Sequence, residues 1–167
     1  MNPYEYAMSI EKEGEIYYRD LAKECSDEGL AKIFTMLADE EAKHYADFEA
    51  MSQNANLAEL PRVDVFKEAK KIFEALKESG NIPESFPEDQ ITLYRNALKL
   101  EEKSYDFYTQ KANALENISH KDAFLRIAKE EWEHARLIEG IIQYITYPQR
   151  WIESAEFHAL SSGSYED

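Results

Sequence analysis

The sequence predicts an all-α protein: a four-helix bundle made of two duplicated helical hairpins joined by a long crossover. Three observations predict it. The 167 residues include only 5 Gly and 5 Pro, with abundant Glu, Lys, Ala and Leu, a composition that favours helix. Apolar residues recur at helical spacing in four long stretches. The chain also repeats itself 90 residues on, by subtraction: Tyr4, Ala7, Glu11, Tyr18, Ala22, Phe34, Ala38, Glu41 and His44 recur as Tyr94, Ala97, Glu101, Tyr108, Ala112, Phe124, Ala128, Glu131 and His134.

The first hairpin spans residues 3–52. Its first helix covers 3–25, opened by Pro3, which suits a first helical position. The inward stripe runs through Tyr4, Ala7, Met8, Glu11, Tyr18, Leu21, Ala22 and Cys25, placing Cys25 as a buried helix-end residue. Residues 27–29 make the turn. The second helix runs to residue 52, with Leu30, Phe34, Leu37, Glu41, His44, Phe48 and Met51 inward.

Residues 53–88 form the crossover, which has no copy in the other half. It contains a loop ending near Pro61, a shorter helix over 63–78, and a break over 80–89 with Pro83 and Pro87.

The second hairpin spans residues 89–147. Its first helix covers 89–115, with Tyr94, Ala97, Leu98, Glu101, Tyr108, Ala112 and Leu115 inward. Ser119 is the expected N-cap of the last long helix. That helix turns Phe124, Ile127, Glu131, His134, Ile138, Ile141 and Ile145 inward and ends at Tyr147-Pro148. Residues 148–159 make a short closing helix anchored by Trp151, Ile152, Ala155 and Phe157, and 161–167 a frayed tail.

Bulk properties bound the function. The formal charge of −15 argues against nucleic acid, whose phosphates need basic surface, and against anionic lipid. The one cysteine, Cys25, rules out a disulfide framework and suits a reducing compartment. The N-terminus lacks a signal-peptide pattern, and no apolar run approaches the ~18–20 residues that span a bilayer. The expectation is a cytoplasmic protein that contacts neither membrane nor nucleic acid.

The repeated acids carry the chemistry. Most helical glutamates face water, but Glu11, Glu41, Glu101 and Glu131 fall within the apolar stripes of their helices. An unpaired buried carboxylate is costly, and four together repel one another. Two divalent cations balance the four charges, whereas no stripe offers a Lys or Arg at that level. Glu41 with His44, and Glu131 with His134, are three residues apart, about 60° round a helix, so each pair can reach one ion. A Glu from each of two helices and Glu-x-x-His from the other two is the ligand set of a two-metal bundle site. One imidazole per metal among carboxylates suits iron or manganese, with zinc as a further option.

Tyr18 and Tyr108, about two turns beyond Glu11 and Glu101, are expected to hydrogen-bond ligands or quench radicals, or else to pack as core aromatics. Glu40 and Glu130 repeat too, but about 100° away from the inward acids, which makes an outer role at the metals a minor expectation. Glu15 is read as a boundary or surface acid. His120 and His158 are read as ordinary surface residues, and Glu153, Glu156 and His158 as the polar side of the closing helix.

The stretches Ala7-x3-Glu11-x6-Tyr18 and Ala97-x3-Glu101-x6-Tyr108, with Leu37–His44 and Ile127–His134, resemble the rubrerythrin group of the ferritin-like superfamily across all four core helices. The resemblance implies a ferritin-like bundle with two irons. Glu41 and Glu131 would bridge them, Glu11 and Glu101 would be terminal carboxylates, and His44 and His134 terminal imidazoles. It also implies peroxide or O2 as substrate and a homodimer.

Two departures stand out. Typical members carry a rubredoxin-like module with four cysteines that feeds electrons to the irons; this chain has one cysteine, so an external electron donor is expected. They also place a further Glu where this chain has Ser104, whose first-half counterpart is Gly14; both are small, leaving room for oxidant or water. Peroxide reduction, ferroxidation, iron binding without turnover, and a structural metal site are the functions this sequence admits.

Overall fold

A computed structural model of the chain describes residues 1–57 and 63–152. Among them are six helices: α1 (Pro3–Glu24), α2 (Glu28–Ser52), α3 (Val65–Ser79), α4 (Glu88–Ala114), α5 (Ile118–Thr146) and α6 (Pro148–Ile152). The fold is the all-α, ferritin-like bundle the sequence predicts. Among the described residues, no helix is long and apolar enough to cross a membrane.

Local chemistry sets the helix ends. Asn2 caps α1 by accepting from the Glu5 N–H at 2.9 Å, and Pro3 follows at the first position, where no N–H is needed. Asp27 caps α2 through the Leu30 N–H at 3.0 Å. The connection is therefore shorter than expected, and Gly29 lies inside the helix. A Cβ on Gly29 would come within 2.7 Å of Ile72 Cγ2, so the glycine lets α3 approach. Gly80 ends α3 in the left-handed region at φ 70°, where glycine carries no Cβ penalty. Asn117, and not the expected Ser119, caps α5, accepting from the His120 N–H at 3.1 Å. Two residues of extra helix result.

α1 packs along α2 and α4 along α5; the hairpins meet through α1 against α4 and α2 against α5, with α3 laid on α2 and α5. Contacts pair rising with falling numbers, as in Tyr18 with Glu101 and Tyr108 with Glu11, so α1 and α4 are antiparallel. His44 with Glu130 and Asp47 with Arg126 show the same for α2 and α5.

The core is two apolar clusters. One gathers Leu21, Leu30, Phe34, Leu37, Tyr94, Ile138 and Tyr144 with Val65 and Phe73 of α3. The other gathers Ala7, Ile10, Phe48, Met51, Tyr108, Phe124 and Ile127. Along each long helix, the repeated acids lie between members of the two clusters. The bundle is thus apolar, polar, apolar from end to end.

α6 closes the first cluster. Trp151 is buried and meets Phe73 edge-on at 4.9 Å and Tyr144 at 5.7 Å. The expected anchors Ala155 and Phe157, and residues Glu153, Glu156 and His158, lie outside the described residues. Cys25 follows α1 and is half-buried, less enclosed than its stripe implied, because α1 stops one residue short of it.

Replacing Trp151 with Ala removes a buried aromatic from this three-ring contact. The expected cost is about 3–5 kcal/mol, read by urea unfolding, with iron or zinc binding unchanged because the site lies in the polar layer. A loss below about 1 kcal/mol would mean that α6 does not close the core.

Candidate metal centre

Each long helix brings its acid to the polar layer. α1 contributes Glu11, α2 Glu41 and His44, α4 Glu101, and α5 Glu131 and His134; none is more than 5% exposed. They form two overlapping groups. One ligand atom from each of Glu11, Glu41, His44 and Glu131 lies within 4.8 Å of the others, and the same holds for Glu41, Glu101, Glu131 and His134. Glu41 and Glu131 belong to both.

The polar atoms converge without satisfying one another. His44 Nδ1 lies 2.7 Å from Glu131 Oε1 and 3.5 Å from Glu11 Oε2; His134 Nδ1 lies 3.4 Å from Glu41 Oε1 and 3.6 Å from Glu101 Oε1. These contacts lack hydrogen-bond directionality. Glu11 Oε2, Glu41 Oε1, Glu101 Oε2, both Glu131 oxygens and both Nδ1 atoms have no hydrogen-bond partner. Buried polar atoms are rarely left so, and seven orphans aimed at one space fit metal ions. The two imidazoles lie near-parallel with centroids 6.0 Å apart.

Electrostatics agree. Burial, then the charges of Glu11, Glu131 and Glu101, push the Glu41 carboxyl well above its usual range. Burial and the charges of Glu101 and Glu11 do the same to Glu131. Burial alone would lower His44, but Glu11, Glu130 and Glu41 outweigh it and raise the imidazole. Glu101 runs the other way: burial pushes it up, but the nearby Glu131 carboxyl, His134 and the Tyr18 hydroxyl hold it down. Four acids share a space that tolerates few negative charges unless cations enter it.

Both tyrosines reach across the repeat. The Tyr18 hydroxyl donates to Glu101 Oε1, and that of Tyr108 to Glu11 Oε1 at 2.7 Å. Each hydroxyl thus holds the other hairpin's acid, leaving that acid's Oε2 pointing at the central space.

The outer groups are less symmetric. His44 Nε2 lies 2.6 Å from Glu130 Oε2, which fixes the ring with Nδ1 facing inward. Arg126 reaches Glu130 Oε1 at 3.4 Å and donates to Asp47 Oδ2 at 2.9 Å; Asp47 is itself buried. Glu130 therefore backs a ring that faces the metal space, a role the sequence reading weighted low, and Asp47 and Arg126 were missed. Spacing sets Arg126 one turn before Glu130 and Asp47 three residues after His44, beside site residues on their own helices, but does not pair the two with each other. Glu40 is also buried, pairs with Lys43 at 3.1 Å, and groups with His44 and Glu130. Glu15 is a boundary acid held by Arg19 at 3.0 Å and Lys12 at 3.3 Å.

Two further expectations need correction. The room expected beside Gly14 is filled by Glu41: a Cβ there would stand 2.9 Å from Glu41 Oε2. The glycine accommodates a site carboxylate, not a substrate. His120 is no ordinary surface residue, since the Tyr4 hydroxyl bonds its Nδ1 at 2.8 Å.

The fold and this layer of acids define a ferritin-like protein with buried carboxylate–histidine clusters that fit a metal site. The chain matches the rubrerythrin family over residues 4–142 and belongs to that family. Comparison with curated proteins and with solved structures gave no match.

In the metal-free protein, Glu41, Glu131 and His44 bind protons more tightly folded than unfolded. The folded state then carries the extra protons, so their contribution to stability is full below the ordinary values and is lost as pH rises. Calorimetry with chelator should show the melting temperature falling from about pH 5 to about pH 8, with a shallower fall in Glu41→Gln. Saturating divalent metal should raise it most at the alkaline end, where the ligands are deprotonated. A slope unchanged by Glu41→Gln would count against this.

Gly14→Ala pushes the far end of a flexible side chain, so its stability cost should stay within about 1 kcal/mol. Because that end is the Glu41 carboxylate, metal affinity should fall by about tenfold or more, read by competition with a chromophoric chelator. Unaltered affinity would show that Glu41 takes no part in binding.

Proposed function

We propose that this rubrerythrin-family protein binds two iron ions in its polar layer and uses them to reduce peroxide or O2. The observation that carries the reading is the pair of overlapping ligand groups sharing Glu41 and Glu131, with their inward atoms unpartnered. In this reading Glu11, Glu41, His44 and Glu131 would hold one ion, and Glu41, Glu101, Glu131 and His134 would hold the other. When bound, the ions supply the redox chemistry, one electron each to the two-electron cleavage of an O–O bond.

The protein's own residues do the rest. The four carboxylates balance the added charge. Tyr18 and Tyr108 hold Glu101 and Glu11 by one oxygen each, and Glu130 holds His44 with its Nδ1 inward. The flanking apolar clusters keep bulk water from both ends. A carboxylate-rich set with one imidazole per ion suits iron or manganese.

In a ferroxidase reading of the same groups, Fe(II) would itself be the reductant. An external donor serves the peroxide reading.

The test is anaerobic Fe(II) loading, iron per chain, then stopped-flow oxidation by peroxide and separately by O2. Two irons per chain with peroxide the faster supports peroxide reduction; sustained turnover of added Fe(II) by O2 supports ferroxidation. Glu41→Ala should abolish the ferric absorption and turnover. Turnover that survives it, or a stoichiometry near zero in the parent, contradicts the proposal. A large fall in melting temperature, with no oxidative spectrum to lose, would instead mark a structural site.

A further inference from the structure

The repeat preserves more than the inward acids. From Glu11 outward, the Tyr108 hydroxyl is followed by its ring, then Phe124 at 6.0 Å, then Tyr4 at 5.8 Å, and the Tyr4 hydroxyl ends on His120 Nδ1 at 2.8 Å. From Glu101, the second copy runs through Tyr18, Phe34 at 6.3 Å and Tyr94 at 4.9 Å from that ring. Two tyrosines with a phenylalanine between them thus link the acid layer to each end of the bundle.

The two ends differ. Tyr4 and His120 are both half-buried and within reach of solvent. Tyr94 is buried; its hydroxyl accepts from Gln90 Nε2 at 2.9 Å and lies 3.6 Å from Cys25 Sγ, a weak acceptor. Of the two outer tyrosines, Tyr4 is the one with an imidazole on its hydroxyl. That matters because a phenol losing an electron becomes a strong acid and must lose its proton at once. An imidazole with its proton on Nε2 offers Nδ1 to take it.

We propose that Tyr4, paired with His120, is the outer relay of a one-electron path through Phe124 and Tyr108 to the acid layer, admitting electrons from a reductant at the surface. This rests on the redox reading above. Tyr108 yields an electron to the peroxide-oxidised core and its phenolic proton to Glu11 Oε1. Tyr4 refills Tyr108, which regains its proton from Glu11, while the Tyr4 proton moves to His120 Nδ1. A one-electron reductant refills Tyr4 and His120 returns the proton. Both tyrosines and both proton acceptors end unchanged, and one electron has entered.

The relay is tested first without metal. Metal-free protein is flash-photolysed with ruthenium tris-bipyridine and a sacrificial acceptor, and phenoxyl formation is followed by absorbance. Tyr4→Phe should remove the fastest phase, His120→Leu should slow it by about tenfold or more, and Tyr94→Phe should leave it unchanged. In a second arm, iron-loaded, peroxide-treated protein is re-reduced by hexaammineruthenium(II), a cationic donor suited to a chain of charge −15. Tyr4→Phe should slow re-reduction by about tenfold, with iron content and the rate of the peroxide step unchanged. Equal kinetics in the parent, Tyr4→Phe and Tyr94→Phe would overturn the relay while leaving the redox reading intact. Failure of the parent to bind iron or react with peroxide would defeat that reading, and the relay with it, before any variant is compared.

Discussion

The structure turns on the enclosure of four carboxylates at the middle of a helical bundle. Glu11, Glu41, Glu101 and Glu131 come from four different helices, so packing those helices together gathers four acids in one layer. Such an arrangement costs folding free energy unless counter-charge is present. The surroundings read as responses to that constraint. Two tyrosine hydroxyls take one oxygen each of Glu101 and Glu11, Gly14 clears space for Glu41, and Glu130 turns an imidazole inward. What stays unpartnered is a shell of oxygens and nitrogens around one space, which is what a pair of cations needs.

Duplication explains how one chain builds this shell, and the drift between copies shows where the halves diverged. The inner set is repeated residue for residue. The outer set is not: Asp47 and Arg126 correspond to Leu137 and Met36, and Gly14 corresponds to Ser104. The Arg126 bridge from Glu130 to Asp47 therefore has no repeat-related copy, and His44 is braced by charges that His134 lacks. The two overlapping groups share Glu41 and Glu131 but not their supports.

Much of this was legible in the sequence because buried charge is so rarely tolerated. A Glu within an apolar stripe is conspicuous, and a 90-residue repeat of four such acids more so. Helix periodicity located all four long helices, and Trp151 was readable as an anchor. Other features were opaque for physical reasons. Asn117 and Ser119 are both good N-caps, and only backbone geometry decides between them. The Glu130–Arg126–Asp47 chain depends on the register between α2 and α5, which spacing within either helix does not encode. The space beside Gly14 looked open because sequence gives residue size but not what enters the gap. His120 looked superficial because its partner, Tyr4, lies 116 residues away.

The most direct test is anomalous diffraction from crystals grown anaerobically with Fe(II), with data collected on both sides of the iron edge. The account predicts two iron peaks in the polar layer, both touched by Glu41 and Glu131, with Glu11 and His44 on one and Glu101 and His134 on the other. A layer without anomalous density, its acids paired instead with protons or water, would contradict it.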